Sequence, residues 1–302
     1  MMKILFTFAL LSSVILAQTF RSATTLVRAE TLVEENGRLI GGLQSEDFII
    51  LDEGRPQPVA NFAAESGSVR LVLLLDSSGS MKPAMRQLAQ TGLLALSVLH
   101  PDDLVALMTF DKKATLRVPL TADRKLVIDG ISKATGKTPD GGTDIYRALS
   151  DAARYLFTAK TAANKVDAPN VILILTDNAA RADTTEAAAL RDLWAASAAV
   201  DALVVSSSPL WGEDISRSLA GTKLQDVRRI ADQTGGVVRQ TPDAEAALQA
   251  MLERSRTRYT VYFRQPETAP GILRHVKVDL SDAARAKHPA AVVRSRTAYY
   301  AE

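Results

Sequence analysis

The stretch that decides the fold is Val69–Met85, VRLVLLLDSSGSMKPAM. Leu71 to Leu75 is unbroken apolar sequence of strand length, and it ends on one carboxylate, Asp76, followed by hydroxyls at Ser78 and Ser80 around Gly79. A run apolar on both faces predicts a strand covered on both sides, as in a parallel sheet between helices. Outward from it the patterns alternate. Pro83 to Leu99 reads as a helix, LVALMTF (104–110) as a strand, and ATLRVPL (114–120) as an edge strand, because Pro119 cannot donate to a ladder. TDIYRALSDAARYLF places Ile145, Ala148, Leu149, Ala152 and Leu156 on one helical face. NVILILTD (170–177) is a second buried strand. Asp183 and Glu186 predict a capping box opening a helix towards Val200, and DALVVS (201–206) a further strand. A helix is expected over 222–234 with Leu224, Val227 and Ile230 inward, stopped by Gly235-Gly236. GVVRQ is a short strand, and Pro242 opens a last helix running to about Arg254. The alternation predicts an α/β fold with a doubly wound, mostly parallel, Rossmann-like sheet.

The flanks differ in texture. Residues 23–64 lack a helical period and carry Asn36-Gly37, a hairpin signal. From Tyr259 the runs YTVYF, LRHVKVDL and AVVRSRTAYY again read as strands. Two or three strands alone are marginal, so both flanks are expected to pair into one small β-sandwich with the α/β domain inserted. The expected domains are 18–66 and 257–302 for the two halves of the sandwich, and 67–256 for the insert.

Residues 1–17, with Lys3 before an apolar stretch to Ala17, read as a secretory signal. About 14 apolar residues fall short of the ~20 needed to span a bilayer, so no stable membrane span is expected after cleavage, and a retained short anchor is the alternative. The chain has 302 residues and no cysteine, which excludes disulfides, thiol catalysis and cysteine metal sites. An exported, periplasmic or secreted protein held together by its core fits. With 36 basic and 34 acidic residues, net charge +2, the chain lacks the concentrated basic face of a nucleic-acid binder.

In open parallel sheets ligands sit outside the carboxyl ends of the strands. Asp76, Ser78 and Ser80 end one strand, Thr176 and Asp177 end another, and Thr143 follows a glycine pair at a helix start. Asp76, Ser78, Ser80, Thr143 and Asp177 form an all-oxygen set suited to a hard divalent cation such as Mg²⁺. The alternative is that Ser78 and Ser80 merely cap the following helix.

D-x-S-x-S with a separate threonine and aspartate resembles the metal-ion-dependent adhesion site of von Willebrand factor type A domains. The resemblance runs from Val69 to Arg254 and departs at Asn178, where the family often has glycine. It implies Mg²⁺, or Mn²⁺ or Ca²⁺, held by Ser78, Ser80 and Thr143 directly or through water, with Asp76 and Asp177 commonly acting through water. It also implies a protein ligand whose Asp or Glu completes the shell. The flanking sequence ENGRLIGGLQSEDFIILDEGRPQPVANF and the closing AYY resemble exported bacterial proteins chiefly known from acidobacteria.

Two other classes stay open: an assembly module whose metal only stabilises the fold, and a metal-dependent hydrolase. The hydrolase lacks a second aspartate two residues after Asp76, where Ser78 stands, and GISKATGKT has one residue too many for a phosphate loop. No histidine pairs with a nucleophile, so the expectation is a binding protein and not an enzyme. Trp211 follows a strand and reads either as a ligand-binding anchor on the same face or as core packing.

Overall fold

The computed structural model describes residues 25–64, 68–134, 142–159, 168–205, 224–241 and 244–302. The expected leader, Trp211 and Pro242 lie outside the described residues.

The chain enters through β1 (Leu26–Glu35), β2 (Arg38–Leu39), β3 (Phe48–Asp52), β4 (Arg55–Gln57) and β5 (Val59–Ala63). Asn36 and Gly37 join β1 to β2 with φ of 50° and 77°, the mirror-image hairpin turn that Asn-Gly favours. Then come β6 (Arg70–Asp76), α1 (Lys82–Leu96), β7 (Leu104–Phe110), β8 (Ala114–Thr121), α2 (Arg124–Ala134) and α3 (Ile145–Thr158). β9 (Asn170–Thr176), β10 (Ala180–Arg181), α4 (Glu186–Ala195), β11 (Ala198–Val205) and β12 (Leu224–Gln225) follow. α5 (Val227–Thr234), β13 (Val238–Thr241) and α6 (Ala244–Arg256) close this α/β part. The chain ends in β14 (Tyr259–Arg264), β15 (Leu273–Leu280), α7 (Asp282–Lys287), β16 (Ala291–Ser295) and β17 (Ala298–Tyr300).

The central sheet has the order β13-β11-β9-β6-β7-β8. Its ladders are parallel except for β8, which runs antiparallel on the edge, where Pro119 is tolerated. β6 and β9 hold the middle and every residue of both is buried. Alternation divides their side chains between two cores. Val72, Leu74, Ile172 and Ile174 face α3, α4 and α5, while Leu71, Leu73, Leu75, Val171 and Leu173 face α1, α2 and α6. Each fully buried leucine or isoleucine contributes ~1.5–3 kcal/mol. The helical face read for α3 is buried throughout.

Two helices start later than the sequence pattern implies. The Thr185 hydroxyl, and not Asp183, accepts from Ala188 N (3.3 Å), so α4 opens at Glu186. Ser197 then takes φ of 47°, which ends the helical path and lets β11 begin at Ala198. Likewise Asp226 caps α5 by accepting from Arg228 N (3.0 Å), while Leu224 and Gln225 pair with Ala180 and Arg181 as a two-stranded ribbon. Leu224 is therefore 44% exposed and not inward.

Both flanks build the remaining sheets. One has the order β16-β1-β14-β5 with β2 beside β1, and the other β17-β15-β3-β4. β1 lies between two C-terminal strands, and β3 pairs with β15, so each sheet needs both ends of the chain. Phe48, Ile50, Tyr259, Val261, Phe263, Val276 and Tyr299 fill the core between them.

Arginines join these sheets to the α/β part. Arg254 reaches the Glu34 carboxylate and the Gly37 carbonyl (both 2.5 Å). Arg258, wholly buried, donates to Gly235 O (2.8 Å) and to Asp201 Oδ1 (2.7 Å). Arg296 donates to Trp194 O (2.8 Å) and Arg28 O (3.2 Å), and burial lowers its pKa to about 10. Asp103 before β7 and Asp201 early in β11 place this junction at the amino ends of the parallel strands, leaving the carboxyl ends clear of it.

Removing one partner of a buried ion pair strands the other charge. Arg258→Ala is expected to lower the unfolding free energy by ~3–5 kcal/mol. Urea denaturation checks this; a loss under ~1 kcal/mol, typical of an exposed pair, would show that the junction does not depend on Arg258.

Candidate metal centre

The site begins with a carboxylate that has lost its water. Asp76, the last residue of β6, is fully buried. Its Oδ1 accepts from Ser78 N (2.9 Å) and its Oδ2 from Thr176 Oγ1 (2.8 Å). No ion pair to Asp76 is formed among the described residues. Burial pushes its carboxyl up to about 6, against the pull of those two hydrogen bonds, and the nearby Asp177 charge adds to the rise.

The loop beyond is tied sideways to β7. Ser77 donates to Phe110 O from both N and Oγ (2.8 Å each). Ser78 Oγ and Ser80 Oγ lie 3.2 Å apart, and Ser80 Oγ donates to Asp177 Oδ2 at 2.5 Å. Neither serine caps a helix. The short 3₁₀ turn Gly79–Met81 and the following α1 have no side-chain cap bond, so the reading of both serines as caps is not what the structure contains. Helix starts generally favour such a cap by ~1 kcal/mol, and here the hydroxyls point instead at each other and at Asp177.

Thr143 arrives from another direction. Gly142 has φ of 88°, a backbone only glycine adopts freely, and it turns the chain into Thr143, which is buried. Asp144 follows as the N-cap of α3, accepting from Arg147 N (2.9 Å), and its own N–H donates to Asp111 O just beyond β7 (2.9 Å). The Thr143 hydroxyl makes no hydrogen bond to a described residue.

The structure thus joins Asp76, Ser78, Ser80 and Asp177 through Thr176 and direct hydrogen bonds, and brings Thr143 to the same sheet edge through Asp111. Among the described residues no three His, Cys, Asp or Glu cluster as a metal site by themselves, so any ion here depends on the hydroxyls. Hard oxygen donors around a buried carboxylate with no cationic partner fit a hard divalent ion. Sequence reasoning named Thr176 only as a strand end and Asn178 only as a departure from the family pattern, and missed Gln225 altogether. Asn178 takes the left-handed conformation (φ 59°) expected of a glycine, which asparagine tolerates. Its Nδ2 donates to Asp226 Oδ1 and its Oδ1 accepts from Val227 N (3.0 Å each). The sequence did carry an Asn after Asp177, a residue type that tolerates this conformation.

Residues 71–179, which include all five candidate ligands, match the family described as von Willebrand factor type A domain. No curated protein matches the chain. Among solved structures, a von Willebrand factor type A protein from Catenulispora acidiphila is 16% identical, over 93% of this chain and 75% of that one, with a TM-score of 0.49. The conserved hypothetical protein BatB from Bacteroides thetaiotaomicron is 18% identical, over 62% and 96%, with a TM-score of 0.43. The pilus adhesin SpaC from Lactobacillus rhamnosus GG, in an open conformation, is 11% identical, over 85% and 47%, with a TM-score of 0.44.

A carboxyl whose pKa rises on folding binds its proton more tightly in the folded state. Burial of Asp76 therefore carries no ionisation penalty at low pH, and a penalty grows as pH rises from about 4 to about 6. With chelator present, Asp76→Asn is expected to exceed the wild type in stability at pH 7.5 by up to about 3 kcal/mol, and to match it near pH 4. Denaturant titrations at the two pH values measure this; equal stability at pH 7.5 would mean that Asp76 is not held as an uncompensated charge.

Proposed function

We propose that this sheet edge binds a divalent cation, Mg²⁺ or in its place Mn²⁺ or Ca²⁺, and through it an acidic side chain of a partner protein. Asp76, Ser78, Ser80, Thr143 and Asp177 would hold the ion. The observation that carries the reading is the orientation of Ser78 and Ser80: both hydroxyls forgo the helix cap and gather with Asp177 above the buried Asp76. The match of residues 71–179 to von Willebrand factor type A domains supports it.

Two carboxylates balance a divalent ion, and an ion behind water stays open to a further anion. The rim favours one. Lys82, Lys112 and Lys113 are exposed and none forms an ion pair with a described residue. Lys112 lies alongside Gly142, its Cε 3.4 Å from where a β-carbon there would sit. Ser78 stands where a hydrolase of the aspartate-nucleophile type needs its general acid, so the site is read as binding without turnover. His275 and His288 sit against Glu53 (3.3 Å) and Glu35 (3.5 Å) on the flanking sheets. Export, cleavage of residues 1–17, the domain limits 18–66, 67–256 and 257–302, and Trp211 as a further contact belong to the same proposal. No helix among the described residues is long and apolar enough to cross a membrane.

Thermal unfolding in EDTA and then in Mg²⁺ or Mn²⁺ tests the ion. At 100 times its dissociation constant the ion is expected to add ~2.7 kcal/mol. Asp76→Ala and Thr143→Ala should abolish the gain. A wild-type protein indifferent to both metals would sink the reading.

A further inference from the structure

The sheet positions Asp76, the last residue of β6 and paired with Phe110 of β7, and Asp177, which follows directly on Thr176 at the end of the doubly paired β9. Thr143 precedes a helix and belongs to no strand, and the Asp144 N–H bond to Asp111 O ties its neighbour to the β7 side only. Something else must hold it at the right distance from Asp177.

One buried amide is placed to do so. Gln225, on the two-residue strand β12, is 3% exposed. Its Oε1 accepts from Tyr146 N (3.2 Å), an amide in the first turn of α3 that has no partner within the helix. Its Nε2 donates to Asp144 Oδ1 (2.9 Å) and to Thr184 O (3.2 Å). Thr184 Oγ1 closes the ring on Asp144 Oδ2 (2.5 Å). Gln225 thus grips the residue after Thr143 with one hand and, with the other, the loop after β10, the short strand that follows Asp177. Neighbouring Asp226 and Val227 are held by Asn178 to the loop between β9 and β10, which carries Asp177.

We infer that Gln225 is a positioning residue of the proposed ion site: its side-chain amide fixes Thr143 relative to Asp177. The inference rests on the ion-binding reading, but the latch itself exists with or without the ion. Both faces of the amide are used, and the ligands themselves are untouched by it. Leucine at 225 keeps the size and burial while losing both donors and the acceptor, which frees Tyr146 N and both sides of the Asp144 ring. Second-layer partners of this kind typically change metal affinity by ~10–100-fold.

The test is calorimetric titration of the full chain with Mg²⁺ and Mn²⁺ alone, paired with hydrogen exchange in EDTA. Gln225→Leu is expected to raise the metal dissociation constant at least tenfold. Thr184→Val, which removes only the Thr184 hydroxyl from the ring and spares Gln225, should weaken binding in the same direction by less. Ser255→Ala, which loses a buried hydrogen bond to Asp201 at the far end of the sheet, controls for stability and should leave the constant unchanged. Exchange at Tyr146 and Arg147 should quicken at least tenfold in Gln225→Leu. Metal binding by the wild type with an unchanged constant in Gln225→Leu overturns the inference. A wild type that binds neither metal overturns the ion reading, and exchange then decides the latch: unchanged rates at 144–147 and 178–188 overturn it as well.

Discussion

An ionised carboxylate at the end of a strand buried on both faces is the constraint around which the upper edge of this sheet is arranged. Taking such a group out of water is unfavourable by several kcal/mol unless hydrogen bonds or a cation replace the lost solvation. Asp76 receives two hydrogen bonds, from Ser78 N and Thr176 Oγ1, and no described cation. That deficit explains the neighbours. Ser77 fixes the loop to β7 with both of its donors, so Asp76 cannot swing outward to water. The serines that follow give up the local gain of a helix cap. A local preference overridden in favour of a convergent polar cluster is where functional sites are found, and here the cluster is the one that would satisfy a divalent ion.

The opposite end of the sheet is organised to leave that edge alone. Without cysteine, the chain joins its parts by burying guanidinium groups against carbonyls and carboxylates. Arg254, Arg258 and Arg296 each reach across to a group on the other side of the junction. The fork of the guanidinium satisfies several carbonyls at once, which a lysine could not do. Gly236 shows how close the packing is at this end: a β-carbon there would stand 1.8 Å from Val200 O. Because α6 runs into β14 within three residues, the flanking sheets are held at the amino ends of the strands and the carboxyl-end edge is left open.

Periodicity made much of this legible. The continuous apolar runs of β6 and β9 could only be central strands, and the 3.6-residue stripe of α3 its covering helix. The strand-end Asp76 and the spaced Ser78 and Ser80 were visible because they lie within five residues of each other. What stayed hidden depends on contacts between distant segments. Leu224 matched a helical stripe, yet pairing of Leu224-Gln225 with Ala180-Arg181 pulled it into a ribbon, and Asp226 supplied the cap that started the helix later. Gln225 read as one polar residue among several, since its three partners come from α3 and the loop after β10. Thr176 was seen at a strand end, but its bond to Asp76 exists only because β6 and β9 are adjacent.

Asn178 shows what such hidden contacts contribute. It keeps a glycine-like backbone (φ 59°) with a side chain attached. A left-handed asparagine is somewhat strained relative to glycine. In return its amide makes two hydrogen bonds to the start of α5 that glycine cannot make. Glycine would also leave the loop more conformational freedom. Asn178 therefore ties the Asp177 loop to the start of α5, while Gln225 ties the start of α3 to the loop after β10. A cluster ordered before its ligand arrives binds with less entropic loss. It also fixes the spacing of its oxygens, and spacing is what separates a small ion that demands near-octahedral geometry from a larger one that does not.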